Sequence, residues 1–157
     1  MKPADIVVPS GSPRVYEPSV NGHWVFDRQM DPNRLGFIYV IFDKVLKKAY
    51  LGKKLYRGHG KLNKGKESNW KRYRSSSGVL RQHWLERPAT EFEFICIEEY
   101  DTKSGLSWAE TWSLCTLKVC TTDSWYNTRI EKISWIVKEL VTADHEQRLT
   151  EIERRVK

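Results

Sequence analysis

At 157 residues the chain is long enough for one domain, or one domain with an added arm, and for a sizeable buried core. Its formal charge of +7 and pI of about 9.3 point to a polyanionic partner, most often nucleic acid. No apolar run of about 18 residues exists to span a membrane, no apolar signal core opens the chain, and the three cysteines, Cys96, Cys115 and Cys120, read as reduced, small and mostly buried in a cytoplasmic protein.

In chain order, residues 1–35 carry prolines at 3, 9, 13, 18 and 32 and read as an irregular N-terminal arm. Its aromatics, Tyr16, Trp24 and Phe26, would pack it onto the domain. Gly36–Phe42 and Lys48–Gly52 are apolar, β-favouring runs separated by a hairpin-length connection, Asp43–Lys47. Alternation along a strand places residues 39 and 41 on one face and 38, 40 and 42 on the other, so a tight hairpin brings Tyr39 and Tyr50 near each other on one surface. Residues 56–67 are rich in glycine and charge, an exposed basic loop. Ser68 is a candidate N-cap for a short helix through Trp70 and Tyr73, and Ser77 for a second helix over 78–86 that ends before Pro88. Residues 91–100 alternate Phe92, Phe94 and Cys96 against Glu91 and Glu93, a third strand. Ser107 is a candidate cap for a helix carrying Trp108, Glu110, Trp112, Cys115 and Leu117. From Ile130 the spacing of Ile133, Ile136, Val137, Leu140 and Val141 predicts a long amphipathic helix, continued by Leu149, Ile152 and Val156 after a break near Asp144.

Charge is concentrated. Between Lys44 and Arg81 thirteen lysines and arginines are opposed only by Glu67, whereas an ordinary solvated surface mixes signs. Lys53, Lys54, Arg57, Lys61, Lys64, Lys66, Lys71 and Arg74 are therefore candidate phosphate contacts for a nucleic acid. The histidines at 23, 59, 83 and 145 lack zinc-ligand spacing.

The order of parts (Phe37-Ile38-Tyr39, Tyr50-Leu51-Gly52, a basic helix, a third strand, an acid-bearing helix, then Tyr126-Asn127) resembles the GIY-YIG nuclease family over about residues 36–130. The wording Tyr-Leu-Gly-Lys-Lys, Ser68–Tyr73 and Ser75-Ser76-Ser77 is similar to a phage-borne, putative homing endonuclease branch with a basic insertion after the second tripeptide. Phe37 stands where the first glycine normally is, with Gly36 one residue earlier. The resemblance implies an α+β fold: a three-stranded antiparallel sheet flanked by helices over 36–130, between the arm at 1–35 and a C-terminal helix at 131–157. It also implies a metal-dependent DNA endonuclease. Tyr39 would act as general base or orient the attacking water, Tyr50 would bond the scissile phosphate, and Glu110 would hold Mg2+ or Mn2+. Arg72 or Lys71 would clamp phosphate with Tyr73 as partner, and Asn127 would stand at the family's late asparagine.

The chemistry is coherent without the family. Phosphodiester hydrolysis needs an activated water, a cation against developing charge and a steadied leaving oxygen, and one carboxylate suffices for a Mg2+ that keeps its waters. A tyrosine of ordinary pKa, about 10, needs help to act as a base; Lys53, Lys54, Lys71 and Arg72 are candidates for it. Each residue has a structural alternative: Tyr39 and Tyr50 as core aromatics, Glu110 as capping-box partner of Ser107, Asn127 as a turn residue. The rival functions are a non-catalytic nucleic-acid-binding module on the same fold and a DNA-packaging accessory protein. The C-terminal helix could serve a homodimer or a larger assembly.

Overall fold

The computed structural model describes residues 18–131, 133 and 137–156. In chain order it places a single turn α1 (Pro18–Asn21), strands β1 (Gly36–Asp43) and β2 (Lys48–Leu55), helix α2 (Gly78–Glu86), strand β3 (Phe92–Tyr100), and helices α3 (Lys103–Thr116) and α4 (Ala143–Arg155). The sheet is antiparallel with order β2-β1-β3, the α+β arrangement the sequence implied.

The central strand β1 is buried along its whole length, and the alternation of its side chains divides the core. Ile38, Val40 and Phe42 join Leu106, Ala109 and Leu114 of α3 and Leu149 and Ile152 of α4. Phe37, Tyr39 and Ile41 face the other way, against Trp24, Phe26, Trp70 and Leu80. Both faces are covered, so the strand reads as a continuous apolar run.

Both sheet edges are sealed. On the outer side of β3, Val25 N donates to Phe94 O and Cys96 N donates to Val25 O, at 2.7 and 2.9 Å. On the outer side of β2, Ala49 N donates to Ser124 O and Tyr126 N donates to Ala49 O, at 3.0 and 2.8 Å. Sealing removes the unpaired donors and acceptors that make an edge prone to pairing with another chain. The expected packing of the N-terminal segment holds for Trp24 and Phe26, both buried; Tyr16 lies outside the described residues.

The hairpin turn is fastened by Asp43. Its buried carboxylate accepts from Val45 N and Leu46 N, from both terminal nitrogens of Arg87, and from Tyr126 Oη. Burial alone would raise this carboxyl; the Arg87 fork and the other donors hold it well below the usual carboxylate range.

Several local expectations are corrected. Ser68 caps nothing: its Oγ donates to Leu55 O, and residues 70–72 form one 3-10 turn instead of an α-helix. Helix α3 starts four residues before Ser107, capped by Thr102, whose side chain accepts from Gly105 N. The Ser-x-x-Glu pattern thus lies inside the helix, and Glu110 is not a capping-box residue. The long helix expected from Ile130 is absent from the described residues before Ala143; there α4 begins, capped by Thr142. Ile136 lies outside the described residues. The segment before α4 serves other ends: Glu139 accepts from Asp101 N and Thr102 N at the start of α3. The apolar stripe of α4, Leu149 and Ile152, is buried in the chain's own core, so it is not a face left open for a second copy. Of the cysteines only Cys96 is buried; Cys115 and Cys120 are exposed. Ser77 caps α2 as expected.

Candidate active site

The two tyrosines meet as the hairpin predicts. Tyr39 pairs with Gly52 and Ile41 with Tyr50, so the tyrosines are diagonal neighbours on one face, ring centroids 6.2 Å apart. A β-bulge falls at this point: Ile38 faces Glu98 but Tyr39 faces Cys96, leaving Ile97 as the extra residue on β3. Bulges of this kind re-aim side chains and are frequent beside active sites. Gly52 is required by proximity, since a Cβ there would lie 2.5 Å from the Tyr39 hydroxyl oxygen and 2.6 Å from Cζ.

The tyrosines open into a cleft of about 530 Å3 whose walls include Tyr73, Ser76, Ser77, Glu110, Asn127, Arg129 and Glu131. Glu110 sits on the flank of the buried stripe of α3 (Leu106, Ala109, Ser113) and so reaches the rim over β2. Lys53, on β2, joins the acids: its Nζ lies 3.5 Å from Glu110 and 3.2 Å from Glu131, and donates to Ser107 Oγ at 3.2 Å. Ser107, expected as a cap, is instead a support for Lys53.

Electrostatics favours neutral hydroxyls. Burial pushes Tyr39 well above its ordinary range, Tyr73 and Tyr50 add to this, and a hydrogen bond with Ser75 opposes it. Tyr50 is raised by burial too, with Ser75 and Arg129 pulling the other way. The help expected from Lys53, Lys54, Lys71 and Arg72 in forming a phenolate is not realised. Lys53 is spent on the carboxylates, and the Lys54 ammonium stands 4.1 Å over the Tyr73 ring. Glu110 is raised by burial and by Glu131, while Lys53 lowers it.

Tyr39, Tyr50, Tyr73, Glu110, Asn127 and Lys53 thus share the cleft. Tyr73 follows the 3-10 turn in extended conformation, its ring 5.9 Å from that of Tyr39. Asn127 has its amide committed: Oδ1 accepts from Leu51 N at 2.9 Å and Nδ2 donates to Leu51 O at 2.7 Å. It clamps the edge of β2 between Tyr50 and Gly52, a positioning task. Arg72 is exposed and does not line the cleft. Lys71 and Arg74 are exposed beside the rings of Trp70 and Trp84. Arg57, Lys61, Lys64 and Lys66 are exposed on the loop.

Sequence reasoning missed Ser75, Arg129 and Glu131. Ser75 was legible only as part of a helix-breaking serine run, yet its hydroxyl favours the charged form of both tyrosines and it sits at φ +76°, a conformation non-glycine residues adopt mainly where function or tight packing demands it. Arg129 and Glu131 lay in a stretch expected to be the start of a helix, where alternating charge is unremarkable.

A three-stranded sheet presenting paired tyrosines to a cleft with one helix-borne glutamate is the arrangement of a GIY-YIG nuclease domain. Residues 21–130 match the family described as "Putative endonuclease segE, GIY-YIG domain", and the chain belongs to that family. No curated protein and no solved structure matches it. Among the described residues no helix is long and apolar enough to cross a membrane.

Proposed function

We propose that the protein is a Mg2+- or Mn2+-dependent endonuclease that hydrolyses phosphodiester bonds of double-stranded DNA. The observation that carries this reading is the convergence of Tyr39, Tyr50, Glu110, Glu131, Lys53 and Arg129 on one cleft.

The donor set suits a hard cation. Glu110 and Glu131 both face the Lys53 ammonium, a pair of carboxylates already drawing one positive charge. Among the described residues no group of three or more His, Cys, Asp or Glu could enclose a metal, so a Mg2+ or Mn2+ here would rest on these two carboxylates and take its other ligands from water and phosphate. Glu110, with Glu131 beside it, would hold the ion; when bound, it would neutralise charge developing on the phosphoryl oxygens.

The chain's own groups have separate tasks. Arg129, which lines the cleft, attracts the scissile phosphate into it. The Tyr50 hydroxyl, kept protonated by burial, donates to a phosphoryl oxygen. The Tyr39 hydroxyl, held by Ser75 and Tyr73, positions the attacking water. Because it is neutral at pH 7, it acts by orientation, and the proton of the attacking water passes to solvent in the open cleft. Gly52 and Asn127 fix the distance between the two tyrosines.

The test is incubation of the purified protein with supercoiled plasmid, with Mg2+ and with chelator, beside Glu110→Ala. Wild type should nick or linearise the plasmid with Mg2+ alone. Glu110→Ala should lose cleavage while retaining duplex affinity and thermal stability. Binding without cleavage by the wild type would replace this reading with the non-catalytic DNA-binding one.

A further inference from the structure

The basic loop is a built finger. Arg57 bridges Glu67, and Gly58 bridges Lys64. Gly58 N donates to Lys66 O at 2.9 Å, Gly65 N donates to Gly58 O at 3.2 Å, and Arg57 Nη1 donates to Gly65 O at 3.1 Å. Its base is tied to the sheet: Ser68 N donates to Tyr56 O at 2.7 Å, and Tyr56 is fully buried. At the tip stands Leu62, 86% exposed, with Lys61, Lys64 and Lys66 around it. Burying this leucine against a partner would gain about 1.5–3 kcal/mol. Leu85 and Leu140 are also exposed, but each stands beside a glutamate, Glu86 and Glu139. Val45 and Leu46, on the β1–β2 turn beside Lys44, Lys47 and Lys48, are exposed among cations as well, and Leu62 is the most exposed of the three.

We propose that residues 57–67 form a DNA finger whose lysines straddle the phosphates of the minor groove and whose Leu62 wedges between two base pairs, kinking the duplex. Apolar side chains delivered by basic elements unstack a step in this way and bend DNA toward the major groove. A leucine makes no base-edge hydrogen bonds, so its preference is for steps that unstack cheaply, the pyrimidine–purine steps TA and CA/TG. Strand β2 runs from the cleft to the finger. From Lys53 to Leu62 at the tip the chain can advance at most about 30 Å at the usual rise, less than the roughly 34 Å of one duplex turn. The kink therefore falls within a turn of the phosphate in the cleft and selects where cleavage occurs.

The inference rests on the DNA reading above, and the experiment separates the two. Wild type, Leu62→Ala and the triple variant Lys61→Ala/Lys64→Ala/Lys66→Ala are titrated, in chelator to prevent cleavage, against a short duplex with one central TA step. 2-Aminopurine in that step reports unstacking, and dyes at the two ends report bending. Wild type should bend the duplex by about 20–90° and raise 2-aminopurine fluorescence. Leu62→Ala should bind with the same salt slope but lose both signals, and its exposure means the fold is not at stake. The triple lysine variant should flatten the slope of log affinity against log salt by about two to three units. Wild-type binding without bending, or a Leu62→Ala protein that bends DNA as wild type does, overturns the wedge and leaves the nuclease reading intact. Failure of the wild type to bind duplex at all overturns both.

Discussion

The tightest contact in the site gives the sharpest prediction. In Gly52→Ala the new methyl would sit 2.5 Å from Tyr39 Oη and 2.6 Å from Cζ, where ordinary contacts begin at 3.4 Å. Ring and strand must part by about 1 Å. Tyr39 has little room to yield: it is 2% exposed and packed by Trp24, Tyr50 and Tyr73. Strand β2 has little either, because Asn127 grips Leu51 next door. Overpacking of this kind costs about 1–3 kcal/mol of stability, and a 1 Å displacement of a group that must meet a reacting atom costs about 10²-fold in rate. The expected outcome is a folded protein whose melting temperature falls by several degrees, whose duplex affinity is unchanged, and whose single-turnover plasmid cleavage is about a hundredfold slower. Single-turnover rates at saturating protein, with affinity measured separately, read the effect directly. A Gly52→Ala protein cleaving at the wild-type rate would show that the Tyr39 hydroxyl need not be held where it is, and the role assigned to it would fall.

Two further outcomes follow from the charges. In Lys53→Met the cation that holds down the Glu110 pKa is lost while burial and Glu131 still raise it, so the acidic limb of the pH–rate profile should move to higher pH; an unmoved limb would remove Lys53 from the carboxylate pair. His145, buried between Tyr100 and Ser113, is lowered by burial from 6.5 to about 4. A histidine with a depressed folded pKa binds fewer protons folded than unfolded, so its contribution is present above about pH 6.5 and lost as pH falls toward 4. Stability should drop between pH 7 and pH 4.5, by up to about 3 kcal/mol for this residue alone, with a lower melting temperature, and His145→Asn should flatten that dependence; a wild-type melting temperature constant across the window would contradict it.

The parts legible in the sequence are those whose signal is local. The hairpin follows from two apolar, β-favouring runs and the five-residue connection Asp43–Lys47, α2 from Ser77 and Pro88, and β3 from Phe92, Phe94 and Cys96. What was hidden is long-range. Thr102 and Ser107 are both acceptable caps, and only the packing of Leu106 against the sheet makes α3 start at the earlier one. Ile133, Val137, Leu140 and Val141 have helical spacing, but Glu139 is needed at the start of α3 and Thr142 at the start of α4, and tertiary demand overrides local pattern. In the site, the tyrosine pair could be anticipated from strand period. The bulge at Ile97, the Ser75 bridge and the commitment of the Asn127 amide could not, because each depends on which chain lies opposite.

The clamp of Asn127 on Leu51 joins residues 76 positions apart, and Arg129 and Glu131 complete the cleft only beyond it. The tyrosines are among the first groups of the domain to be synthesised, and the residues that set their surroundings are among the last. While the chain is still emerging from the ribosome, β2 has an unsealed edge and the cleft lacks one wall. The finished pocket exists only once residues 124–131 have docked against β2, so the tyrosine pair acquires its surroundings after the hairpin that carries it.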